Sequence, residues 1–174
     1  YITINPLETH TDAKTNISPF DKDKGTGKFK FSFSFMLKNI GDAEPDKKHY
    51  IVSSQSKLWS IYYQNKELFL AVNEVKDTTS FSEEDKIKLN TDALESYTAY
   101  AITIYVTNYK VIVNFINNDN KELFLKNKEC ITSFQCKESY INSACENKIC
   151  LVKSDEYYLG ALLHNKIDGV INTD

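Results

Sequence analysis

Residues 28 to 37 read KFKFSFSFML, and this run restricts the fold more than any other part of the chain. Phe29, Phe31, Phe33 and Phe35 alternate with Lys28, Lys30, Ser32 and Ser34. A period of two puts the four rings on one face of an extended strand and the polar residues on the other. Burying such a ring is worth roughly 1.5–3 kcal/mol, so the strand calls for a facing apolar layer. A second sheet supplies one. An exposed aromatic platform that stacks sugars or bases is the rival reading.

The same alternation returns along the chain. In KLWSIYYQNKELFLAV, Trp59, Ile61 and Tyr63 share one face of a strand, and Leu68, Leu70 and Val72 share one face of the next. Between them lies Gln64-Asn65-Lys66, where Asn65 tolerates the left-handed backbone of a tight hairpin. Tyr100, Ile102, Ile104 and Val106, then Tyr109, Val111, Val113 and Phe115, predict a second hairpin across Thr107-Asn108. Asn117-Asn118-Asp119-Asn120 reads as a polar turn before KELFLKN, and EYYLGALL and NKIDGVI read as closing strands. Ser82-Glu83-Glu84-Asp85, ahead of KIKL, has a capping-box pattern and predicts the one helical turn. About ten strands at roughly ten-residue spacing indicate an all-β, antiparallel two-sheet sandwich.

A length of 174 residues suits a single domain spanning 1–174, and 41% hydrophobic with 13% aromatic residues is enough for a real core. Every one of the 21 basic residues is lysine and the net charge is -3, so there is neither a cationic field nor an arginine fork for phosphates or bases. Nucleic acid is excluded as a partner. The excess of Lys, Asn, Ile and Tyr looks like the coding bias of an AT-rich genome, as in malaria parasites or clostridia, and suggests a parasite surface protein. No stretch approaches the roughly 20 apolar residues of a membrane span, so direct membrane insertion by this segment is not expected. The opening Tyr1-Ile2-Thr3-Ile4 reads as the start of a trimmed piece of a larger precursor.

All four cysteines, Cys130, Cys136, Cys145 and Cys150, fall within a span of 127–150 that reads as a loop insertion. No CxxC knuckle occurs, and His10, His49 and His164 lie outside the cluster, so two disulfides are favoured over zinc or free thiols. Four cysteines allow three pairings, and the spacing does not select one. Bridges would staple a surface loop that the core does not hold, and they place the chain in an oxidising compartment, secreted or at the cell surface. The sequon Asn16-Ile17-Ser18 makes Asn16 a candidate glycosylation site, set against a chance match before Pro19.

The order of segments carries further information. FKFSFSFML, HYIVSS, LWSIYYQNKELFLAV, YTAYAITIYVTNYKVIVNFIN and LGALLHNKIDGVI together resemble laminin-G-like domains of the concanavalin-A-like jelly-roll superfamily, over roughly Lys28 to Ile171. The chain departs from that family in having Tyr97 and Tyr100 where Trp is usual, and in the cysteine insertion. The resemblance implies a jelly roll that recognises proteins, glycans or lipids through rim loops or a sheet face, often with calcium.

Candidate chemistry is sparse. Asp21-Lys22-Asp23-Lys24-Gly25 starts like a calcium loop, but position five is Gly25 and position twelve Ser32, so calcium remains an implication of the resemblance with no ligands placed. Gly25-Thr26-Gly27-Lys28 leads into a strand and lacks the upstream glycine of a phosphate loop. The E-x-D-x-x-E pattern of polysaccharide-hydrolysing relatives is absent, and without Arg the galectin set of His, Asn-Pro-Arg and Trp cannot be formed. The expectation is therefore a non-enzymatic extracellular binding or adhesion module that meets a protein partner through rim loops, with no cofactor. The alternatives are a glycan-binding domain using exposed Tyr62, Tyr140 or Tyr157 as stacking platforms, a divergent glycoside hydrolase, and a scaffold role.

Overall fold

The computed structural model describes residues 2–4, 29–38, 40, 47–54, 58–72, 85–107, 109–116, 119–139, 143–152, 157–159, 161–162, 165–166 and 169–172. In chain order these form β1 (Ile2–Ile4), β2 (Phe29–Leu37), β3 (His49–Ser54), β4 (Trp59–Gln64), β5 (Glu67–Val72) and β6 (Asp85–Lys88). Next come β7 (Ala99–Val106), β8 (Lys110–Phe115), β9 (Lys121–Phe124) and a short helix, α1 (Ser133–Ser139). The order closes with β10 (Ser143–Glu146), β11 (Ile149–Val152), β12 (Tyr157–Leu159), β13 (Ala161–Leu162), β14 (Asn165–Lys166) and β15 (Gly169–Asn172).

These strands build an antiparallel sandwich. One sheet has six strands in the order β1, β15, β2, β7, β8, β9; the other has five, β12, β3, β4, β5, β6. Two-stranded ribbons, β10 with β11 and β13 with β14, complete the described pairings. The alternation in β2 does what its period requires: Phe33 and Phe35 are buried, Phe31 packs against the same cluster, and Lys30 and Ser32 face water. Ile102, Ile104, Val111, Val113 and Phe115 join them from one sheet, and Trp59, Ile61, Tyr63, Leu68, Leu70 and Val72 from the other. Phe33 and Phe35 are core, and the exposed-platform reading of β2 fails for them.

The hairpin between β4 and β5 turns on Asn65 and Lys66, whose φ angles of 49° and 62° are both left-handed, as a two-residue primed turn demands. Asn90 braces it from below: its Oδ1 accepts from Leu68 N at 2.8 Å, and its Nδ2 donates to the Lys66 and Asp92 carbonyls at 3.2 and 2.9 Å. In β3 a bulge between Tyr50 and Val52 places Ile51 and Val52 together in the core, which strict alternation would forbid.

One expectation needs correction. The helical turn at Ser82–Asp85 is not formed at its described end: Asp85–Lys88 is strand β6, paired with β5 through Asp85–Val72 and Ile87–Leu70. A capping box without a following apolar stripe has nothing to pack a helix, whereas Ile87 between two lysines suits an edge strand. The span 127–150 is the expected disulfide-stapled surface loop, and it carries local structure of its own. It holds α1 and the β10–β11 ribbon, and β11 ends in Val152, a member of the sandwich core. The ribbon turns on Asn147 and Lys148, at φ 51° and 65°, repeating the Asn-Lys turn of the opening hairpin. Two disulfides fix the pairing as Cys130–Cys145 and Cys136–Cys150. No helix among the described residues is long and apolar enough to cross a membrane.

Candidate functional site

If the odd positions of β2 and β8 and the even positions of β7 fill the core, their alternates must line the outer face of the six-stranded sheet. Register makes rows of them. Lys30 lies opposite Tyr105, Tyr105 opposite Ile112, and Ile112 opposite Glu122. In the adjacent row Ser32 lies opposite Thr103 and Thr103 opposite Asn114. An open groove of about 530 Å³ runs over these rows, lined by Lys30, Thr103, Tyr105, Ile112, Asn114 and Asn120.

The groove is polar without being acidic. Ser32 Oγ and Thr103 Oγ1 share a hydrogen bond of 2.9 Å, and Asn114 Nδ2 donates to Asn120 Oδ1 at 3.1 Å, which orients the two amides. The Lys30 ammonium and the Tyr105 hydroxyl have no hydrogen-bond or ion-pair partner among the described residues, so both are available to a ligand. The nearest carboxylate in the rows, Glu122, is engaged with Lys110 Nζ at 3.5 Å. Ile112 and the Tyr105 ring give the floor an apolar strip beside these donors and acceptors. Ile116, which extends the outer positions of β8 beyond Asn114, holds a left-handed φ of 46°. For a β-branched residue that is a strained backbone.

Tyr62, one of the aromatics singled out for stacking, is fully buried. Period-two counting correctly sends it to the side opposite Trp59 and Ile61, but that side of β4 is itself covered. Tyr50, Phe69 and Ala71 pack around the ring, and Lys48 Nζ sits 4.8 Å from its centroid. β4 is a central strand buried on both faces, which rules out a ligand platform at Tyr62. Tyr157 lies in β12 opposite Ser54. Tyr140, Asn16 and the Asp21–Gly25 segment lie outside the described residues. Among the core tyrosines, burial raises the Tyr63 hydroxyl above its ordinary pKa, partly offset by a backbone hydrogen bond at Lys66. That hydroxyl donates to the Ile40 carbonyl at 3.1 Å, which makes it a structural group.

Sequence reasoning missed the groove residues Lys30, Thr103, Tyr105, Ile112, Asn114 and Asn120. A signal for all six was present: five are the complement of the apolar alternation in β2, β7 and β8, and Asn120 is the end of the polar turn before β9. Only the sheet order, which sets β2 beside β7, shows that they meet.

With this geometry described, the chain can be compared with solved structures. Sheep galectin-11, solved in complex with glycerol, superposes with a TM-score of 0.51 at 10% identity, covering 95% of this chain and 96% of that one. The LG4-5 domains of the mouse laminin α1 chain superpose with a TM-score of 0.50 at 9% identity, covering 96% of this chain and 39% of that one. The fold is a two-sheet jelly roll, the architecture that these two structures share with it. No protein-family model matches the sequence, and no curated protein sequence does. At such identities the likeness concerns backbone architecture alone, so the chemistry of this jelly roll has to be argued from its own groove.

Proposed function

We propose that this jelly roll is a non-enzymatic binding module that holds saccharides in the groove over β2, β7 and β8. The observation that carries the proposal is the groove's make-up: neutral hydroxyl and amide side chains beside one available phenol ring. A sugar hydroxyl both donates and accepts, and the Thr103 hydroxyl and the Asn114 and Asn120 amides do the same. The ring of Tyr105 offers a flat apolar surface to the C–H face of a pyranose. Because this chain has no arginine, its sugar contacts differ from the galectin set.

The protein-receptor reading is less well supported, because four of the six lining residues, Lys30, Thr103, Asn114 and Asn120, are polar, whereas the centre of a protein interface is usually dominated by apolar and aromatic side chains. Hydrolysis is also disfavoured: it requires two carboxylates flanking the scissile bond, and no Asp or Glu lines the groove. Lys30 supplies the one cation there, so saccharides carrying a carboxylate or sulfate are bound more tightly than their neutral counterparts. The two disulfides favour an oxidising setting, and we place the domain outside the cell, within a longer surface or secreted protein.

A glycan array probed with and without calcium tests the proposal, followed by titration of the best glycan. Tyr105→Ala should weaken binding about tenfold or more, a loss of about 1.4 kcal/mol, while leaving near-ultraviolet circular dichroism unchanged. An array blank under both conditions, or a Tyr105→Ala protein that binds as tightly as the parent, would end the saccharide reading.

A further inference from the structure

The cysteine module contains a second kind of site. The Sγ atoms of Cys130, Cys136 and Cys150 all lie within 4.8 Å of one another and are buried, although they belong to two different disulfides. The fourth sulfur, of Cys145, is bonded to that of Cys130. Four thiolates around a tetrahedral zinc ion, each about 2.3 Å from the metal, sit about 3.8 Å apart. Three of the four sulfurs are thus already gathered into roughly the volume of a metal site, and the fourth, half-buried on Cys145, is held next to them by its bond to Cys130.

The backbone that gathers them does not depend on the bridges alone. Cys145 and Cys150 are directly opposed in the β10–β11 ribbon, so their side chains leave the same face. The stretch before Cys130 runs along β11, with Cys130 N donating to the Lys148 carbonyl at 2.9 Å and Cys150 N to the Lys128 carbonyl at 2.8 Å. Cys136 approaches from α1, which is tied to the ribbon by Cys145 N donating to Ser133 Oγ at 3.1 Å. Gln135 Oε1 accepts from the Ile131 and Thr132 amides, which closes the turn leading into that helix. The absence of a CxxC knuckle, which counts against zinc in the sequence, loses force here. The fold brings together sulfurs that chain spacing keeps apart.

We propose that these four cysteines form a latent metal site, closed as two disulfides in the oxidised protein and able to hold one Zn²⁺ through four thiolates when reduced. A dithiol reductant opens each bridge by giving up two electrons and two protons and closing to its own cyclic disulfide, which leaves two protein thiols per bridge. Zinc then replaces the four thiol protons, which pass to solvent. Either crosslink holds α1 against the ribbon, so the module keeps its shape in both redox states.

The test uses the full chain, reduced with a phosphine that does not compete for metal and is itself converted to the phosphine oxide, with oxygen taken from water. Titration with Co²⁺ should give one ion per chain, the intense visible bands of a tetrahedral thiolate site, and displacement by Zn²⁺. The oxidised protein should bind none. Affinity should fall by about tenfold or more when the reduced chain is unfolded in urea, because a preformed site is lost, and by a similar factor in reduced Cys136→Ser. Three results would overturn the proposal: no tetrahedral spectrum, a stoichiometry other than one per chain, or equal affinity in the folded and urea-unfolded chains.

Discussion

β7 with β8 and β10 with β11 are both antiparallel pairs, yet they are held in place differently. In β7 and β8, Ile102, Ile104, Val106, Val111, Val113 and Phe115 point into the space between the sheets, and their burial fixes register. In the ribbon, the buried residues are Ser143, Cys150, Leu151 and Val152; Cys150 clusters with Cys130 and Cys136, and only Val152 at the ribbon's exit reaches the main core. The sandwich is a cooperative solid in which each side chain supports its neighbours across the layers. The module is a short segment with few apolar contacts, whose backbone hydrogen bonds are reinforced by two covalent bridges. This difference separates global stability from local stability.

Trp59→Ala should have the largest effect, because it removes the bulkiest fully buried side chain at the centre of the sandwich. A loss of about 3–5 kcal/mol is expected, read as a lower urea midpoint by every spectroscopic probe. If the module's own probes were spared, the two regions would be far less coupled than Val152 suggests. Cys136→Ser with Cys150→Ser comes next. The bridge closes a loop of sequence separation 14, worth about 3 kcal/mol, and its loss should appear as faster amide exchange in β10, β11 and α1. Exchange in β7 and β8 should barely change, and equal acceleration there would erase the distinction.

The smallest and sharpest comparison uses the two Asn-Lys turns, which have nearly identical backbone angles in the two regions. Lys66→Gly and Lys148→Gly each place the preferred residue at a left-handed position and should each stabilise by about 0.5–1 kcal/mol. The first should raise the global unfolding midpoint. The second should raise only the exchange protection of the ribbon, and a matching rise in the midpoint would show that the module unfolds together with the sandwich.

Sheet architecture was legible in the sequence wherever one face is buried, because alternation then records burial directly. That accounts for β2, β4, β5, β7 and β8, and for the turn at Asn65. It was not legible at β10 and β11, where SACE and ICLV show no alternation because sulfur bridges replace apolar contacts. The cysteines' pairing was also hidden, since it depends on which strands lie side by side. Tyr62 was misread because alternation tells which side of a strand a residue takes and not whether that side is wet. The groove escaped for a related reason: Thr103 and Asn114 are unremarkable polar residues until Lys30 and Asn120 are brought beside them.

The hydrogen bond from Ser32 to Thr103 joins positions 71 residues apart, and the groove straddles that same join. Contacts of such long range form late and slowly in all-β proteins, on the order of milliseconds to seconds. The groove therefore exists only once β2 and β7 have paired. A chain that has not yet brought them together carries every side chain of the groove but not the surface they make.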